Sequence, residues 1–216
     1  MKLSLVTLIF PVISSLLLIP SIASANTDAK GTSDHSLVGR YPGSYIFIQT
    51  PSEYEEAIIP LEGTDPTSVK LGEHIKVEGK ILSTVYATQD KLSTLKIIRS
   101  YEQALQQKGF NTLFKCSADT CGDFMLRAVY PSSSRQKHLR GLDHWKNYYS
   151  STDWRFLTAQ KKEQGKNDYV IIVAAYPLNA QTPRILVEVI EEESFQAAQL
   201  TTTTEQLTSD NGLKPV

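Results

Sequence analysis

The sequence predicts an α+β domain: a largely antiparallel sheet, one main helix at about Ser93–Lys108 packed on one face, a β-α-β core and a C-terminal three-strand meander. Three observations carry this prediction. Leu95, Ile98, Tyr101 and Leu105 recur at helical spacing between the capping residue Ser93 and the stop residue Gly109. His74 to Tyr86 and Phe110 to Phe114 flank that helix as strand-like runs. Finally, Trp154–Ala159, Asp168–Tyr176 and Arg184–Ile190 form three apolar runs with short polar connections, the pattern of an antiparallel meander.

Taken in order, the chain opens with Lys2 and the uncharged apolar run Leu3 to Ile19. Pro20 breaks this run, and Ala23-Ser24-Ala25 gives a small-x-small cleavage signature. This predicts a Sec-type signal, residues 1–25, cleaved after Ala25; the alternative is an uncleaved N-terminal anchor, since the run approaches spanning length. No cysteine lies near the cleavage site, which excludes lipid attachment there. The expected compartment is the periplasm of a Gram-negative bacterium. Removing the signal takes one Lys from 22 Lys+Arg and nothing from 23 Asp+Glu, leaving 21 − 23 = −2. There is thus no basic field to gather nucleic acid. No later stretch is long and apolar enough to cross a bilayer.

Residues 26–33 read as a flexible N-terminus, 34–195 as one domain and 196–216 as a disordered polar tail. Pro42-Gly43 fits a type II turn. Tyr45–Gln49 reads as a strand, and Glu53–Leu61 as a second, partly exposed one. Gly79, in the middle of the His74–Tyr86 strand, marks a bulge or bend. Ser93 is the predicted N-cap. Gly109 suits the left-handed position after the helix, letting Phe110 close onto Leu105 in a Schellman motif. Gln136 to Ser150 reads as a short irregular helix or a covering loop.

Cys116 and Cys121 are the only cysteines, and an even pair in an oxidising compartment reads as a disulfide. The spacing lacks the C-x-x-C of thiol oxidoreductases, and two cysteines make a poor zinc site. Closing so small a loop is worth roughly 2 kcal/mol at most before strain.

Chemistry is harder to find. The sequence carries no G-x-S-x-G, H-E-x-x-H, P-loop or G-x-G-x-x-G motif. His35, His74, His138 and His144 lack metal-site spacing and read as solvated loop residues, although Asp143-His144 could supply two ligands to a metal if a third approached in space. The expectation is therefore no metal, no cofactor and no assigned catalytic residue. The acidic clusters Glu55-Glu56 and Glu191-Glu192-Glu193 lack apolar neighbours in sequence that would raise a carboxyl pKa for acid catalysis. The most suggestive surface combines Arg140, Trp145, Lys146, Tyr148, Tyr149 and Arg155, aromatic rings among basic groups suited to sugars or lipid headgroups. The competing reading is that its aromatics cover the sheet; alternation places Trp154 and Phe156 together on one buried face.

The ordered set Asp34 to Ser44, Glu78-Gly79, Ser100 to Leu105 with Gly109-Phe110, and Cys116…Cys121-Gly122 resembles an uncharacterised proteobacterial envelope domain. This is a domain-of-unknown-function family often found N-terminal to an OmpA-like peptidoglycan-binding domain. The resemblance spans about Ser33 to Phe195 and implies association with the outer membrane from its periplasmic side. It supplies no catalytic residues. After it this chain has only a short polar tail, with no OmpA-like domain. The expectation is a non-enzymatic binding or structural module that contacts an envelope protein or peptidoglycan. The alternative is an envelope-acting hydrolase using Asp143, His144 or the acidic clusters.

Overall fold

The computed structural model describes residues 27–65, 68–140, 142, 153–177 and 180–198. Six strands form one antiparallel sheet: β1 (Ser44–Pro60), β2 (His74–Thr88), β3 (Asn111–Ser117), β4 (Trp154–Glu163), β5 (Lys166–Ala175) and β6 (Arg184–Glu192). Their order across the sheet is β1-β2-β6-β5-β4-β3. Helix α1 (Thr94–Gln107) lies between β2 and β3 in the chain. Every neighbouring pair is antiparallel, so β2 and β3 run in the same direction with three strands between them. The three short helices α2 (Ala118–Cys121), α3 (Met125–Val129) and α4 (Ser133–Gln136) follow β3, and a 3-10 turn at Lys137–Leu139 continues α4.

Local chemistry sets the ends of α1. Ser93 Oγ accepts from the Lys96 amide, leaving one fewer orphan donor in the first turn. At the other end Gly109 adopts φ +85, Phe110 N donates to Leu105 O and Gly109 N donates to Gln106 O, the paired bonds of a Schellman motif.

The central strands are apolar on both sides because both sides are covered. From β5, Val170, Ile172 and Ala174 join Ile97, Ile98, Tyr101 and Leu105 of α1 in one buried cluster. The alternate residues Tyr169, Ile171, Val173 and Ala175 join Met125, Leu126, Val129, Leu139 and Leu142 in another. The strand period of two thus splits β5 between two cores.

Two strand predictions change. The stretches read as separate strands at 45–49 and 53–61 are one continuous β1, kept in register by bulges between Ile46 and Ile48 and between Ser52 and Glu55. At the second bulge, Glu55 pairs with Gly79 and Ser52 with Ile81, so β1 carries one more residue than β2 between these pairs. The connection from β4 to β5 is tighter than the gap between the runs read at Trp154–Ala159 and Asp168–Tyr176. Glu163 pairs with Lys166, and Gln164 and Gly165 both take positive φ (52 and 80), as a two-residue type I′ hairpin requires.

The stretch read as a flexible N-terminus carries specific bonds in its described part. Asp28 accepts from the Ile46 amide at 2.8 Å and receives both terminal nitrogens of Arg40. Asp34 accepts Arg40 Nε and the Tyr86 hydroxyl. The hydrogen bonds from Arg40, then that from Ile46, hold the Asp28 carboxyl below its ordinary value. Among the described residues, no helix is long and apolar enough to cross a membrane.

Candidate functional site

An acid interrupts the apolar run of β6. In Ile185-Leu186-Val187-Glu188-Val189-Ile190, Glu188 is fully buried and pairs across the sheet with Ser83 on one side and Ile171 on the other. The strand period points it away from α1, toward the layer built by α3, α4 and the 3-10 turn. A carboxylate there needs partners, because an isolated charge removed from water is costly.

Those partners come from four different elements. Arg135 of α4 donates from Nη2 to Glu188 Oε1 at 2.5 Å. The Ser83 hydroxyl of β2 donates to Oε2 at 2.5 Å. Tyr130, just after α3, reaches Oε1 at 3.5 Å, and the Arg135 guanidinium stacks 5.1 Å from its ring centroid. His138 in the 3-10 turn contacts Ser83 Oγ through Nδ1 at 2.7 Å, while its Nε2 lies 3.4 Å from Ser52 Oγ of β1.

Burial decides the protonation of the ring. Desolvation pushes the His138 pKa down to about 4, outweighing the pull of Glu188. The ring is therefore neutral at pH 7, and one proton arrangement satisfies the chain of contacts. Ser52 donates to Nε2, Nδ1–H donates to Ser83 Oγ, and Ser83 donates to Glu188. Burial works against the Arg135 charge, but Glu188, with Tyr130 and Glu55, together outweigh it and hold the guanidinium pKa above its ordinary value. Burial, then the Glu188 charge, pushes the Tyr130 hydroxyl well above 10. Arg135 Nε and Nη1 are buried and make no hydrogen bond among the described residues.

A serine, a histidine and a carboxylate together invite comparison with a hydrolytic triad, but the geometry differs. Ser83 stands between His138 and Glu188 instead of at the end of the relay, and Ser83 and His138 are each 1% exposed. No substrate carbonyl reaches Ser83 through that packing. What the arrangement does is fasten α4 and the 3-10 turn to three strands of the sheet.

The residues singled out from sequence are placed elsewhere or lie outside the described residues. Asp143, His144, Trp145, Lys146, Tyr148 and Tyr149 fall outside them. Arg140 is exposed at the end of the 3-10 turn, on the layer that covers Glu188. Arg155 alternates with Trp154 and Phe156, which face that layer's core, so it projects toward α1 instead. Its Nε donates to Thr94 Oγ1 at 3.2 Å. Together with Leu95, Arg99, Lys115, Cys116 and Ser117 it lines a hollow of about 260 Å³. The two described members of the proposed surface therefore belong to opposite layers.

Cys116 and Cys121 are joined, with their Cα atoms 5.1 Å apart. The acidic clusters do not converge. Glu55 lies 4.0 Å from Lys137, Glu56 lies 3.9 Å from Lys76, Glu191 lies 3.9 Å from His35, and Glu192 accepts from Asn167. Among the described residues, no group of three His, Cys, Asp or Glu side chains is placed to hold a metal ion.

The reading of every histidine as a solvated loop residue fails at His138, which a turn buries against the sheet. The available signal was Glu188 itself, a lone acid at an inward-facing strand position that demands a cation from elsewhere. Comparison with known protein families finds no matching family model, and comparison with curated proteins finds no match.

Proposed function

We propose that this is an exported envelope protein, periplasmic in a Gram-negative bacterium, that works as a non-enzymatic binding or structural module for an envelope protein or glycan. The signal-like residues 1–25, the resemblance to the outer-membrane-associated envelope domain and the Cys116–Cys121 bond support the compartment. In this reading α1 is the main helix on one face, part of a β-α-β scaffold completed by the β4-β5-β6 meander. Burial of Ile97, Ile98, Tyr101 and Leu105 against strand residues supports that role.

The observation that carries the binding role is the outer edge of β3. This seven-residue strand ends the sheet order and has no second strand neighbour among the described residues. Lys115 is one of its residues, and Arg155 of the neighbouring β4 lines a hollow with it. An open edge offers main-chain donors and acceptors to an extended partner, while basic and aromatic side chains nearby supply selectivity. The sealing of the Ser83–His138–Glu188 group favours binding over hydrolysis, since that group presents no nucleophile to solvent.

The test is a pull-down from periplasmic extract and on purified peptidoglycan, with wild type beside Trp145→Ala and Arg155→Ala. Loss of a partner with either variant is expected. Equal recovery of every partner by all three proteins removes the Arg140–Phe156 stretch as the contact surface. Light scattering of the same preparations separates a monomeric binder from a subunit whose edge pairs with a second copy.

A further inference from the structure

The contacts around Glu188 hold down a cover whose underside is almost entirely apolar. Met125, Leu126, Val129, Leu139 and Leu142 pack on Ala57, Ile59, Ile81, Phe156, Ile171 and Val173, and Trp154 lies in the same cluster. α3, α4 and the 3-10 turn have only five, four and three residues, too few to hold shape alone. Their order depends on this packing and on the polar fastening at its centre.

We propose that segment 125–139 is an acid-operated cover, closed while His138 is neutral and released from the sheet when that ring takes a proton. Every element packed around the ring contributes to this behaviour. β6 presents Glu188, β2 presents Ser83 and β1 presents Ser52 and Glu55, while the cover itself brings Tyr130, Arg135 and Lys137. At neutrality the two cations Arg135 and Lys137 face the two carboxylates Glu188 and Glu55. A charged ring makes three cations against two anions, and of these His138, Arg135 and Glu188 are buried. It also turns the Ser52 hydroxyl from a donor to Nε2 into an acceptor from it. Both costs vanish if the turn lifts and the ring reaches solvent. Opening also takes Arg135 from Glu188, which keeps Ser83 and gains water, while the pairing of β6 with β2 and β5 involves no residue of the cover.

The proposal concerns gating of the apolar face and stands whether or not the binding role holds. It is tested in a Trp145→Phe background, which leaves Trp154, buried under the cover, as the sole tryptophan. Emission of Trp154 and far-ultraviolet circular dichroism are followed from pH 7.5 to 4. The expected result is a red shift with a midpoint between about pH 4 and 5 while the strand signal persists, with that midpoint lowered by about one pH unit or more in His138→Asn. A red shift that coincides with loss of the strand signal overturns the proposal, as does an unchanged midpoint in His138→Asn. If the variant fails to fold, the wild-type imidazole is titrated by nuclear magnetic resonance. Titration of His138 together with the Trp154 shift supports the cover. A ring that protonates without any change at Trp154, or stays neutral through the shift, ends it.

Discussion

Gly79 lies against the main-chain oxygen of Glu191, so close that a Cβ at this glycine would sit 2.1 Å from that oxygen. The contact is made across the β2–β6 pair, opposite the bulge in β1, so neither neighbouring strand can withdraw without losing ladder bonds. Gly79→Ala is therefore expected to cost about 2 kcal/mol or more. Gly165→Ala meets no neighbour but forces an L-residue to φ +80, costing about 1–2 kcal/mol. Urea unfolding of the two variants checks the order; an equal or larger loss for Gly165→Ala would show that the sheet yields at Gly79.

The Arg135–Glu188 pair is buried at both ends. Removing one partner leaves an uncompensated charge, so Glu188→Ala or Arg135→Met is expected to lower stability by about 3–5 kcal/mol. The double variant should lose clearly less than the sum of the two. Chemical denaturation of all four proteins gives the coupling directly.

Stability should depend on pH through His138 with a definite sign. The folded ring titrates at about 4 and the free ring at 6.5, so between those values the unfolded chain binds more protons. The contribution is flat above pH 6.5, falls as the pH drops toward 4 and levels off below it. Thermal melts across this window should show a lower Tm at the acid end, by a few degrees. In His138→Asn this part of the slope should disappear.

The disulfide acts on a distant loop. The Cys121 carbonyl accepts from Thr64 N at 2.8 Å and from Thr64 Oγ1 at 3.3 Å, tying the Cys116–Cys121 turn to the β1–β2 connection. Native protein should resist thiol labelling without reductant; two free thiols would contradict the bond. A Cys116→Ser, Cys121→Ser variant should lose about 2 kcal/mol and be cut faster near Asp65 and Lys70 by a limiting protease. Unchanged cleavage there would mean that the Thr64 contacts hold the loop without the bond.

Elements governed by local rules were legible in the sequence. Ser93, Gly109 and Phe110 each act within a few residues, and their roles at the ends of α1 match expectation. Alternation correctly put Trp154 and Phe156 on one buried face. Where long-range partners decide, the reading stopped short. Nothing local to Ser52, Ser83, Tyr130, Arg135, His138 and Glu188, spread over more than a hundred positions of the chain, announces that they meet. The continuity of β1 was hidden for a similar reason, since Pro51 and the irregular stretch after it look like a break until β2 supplies a partner on the far side of the bulge.

The strand order has a consequence for how the chain can assemble. Among the described residues β6 is the last strand in the chain, yet it sits between β2 and β5 and is the one strand joining the β1–β2 hairpin to the β3-β4-β5 group. Without β6 the sheet falls into two halves, each with a bare inner edge. Those edges are rich in Val and Ile and closely resemble strands that pair with the wrong chain. A chain cut off before residue 184 is therefore expected to aggregate through those bare edges.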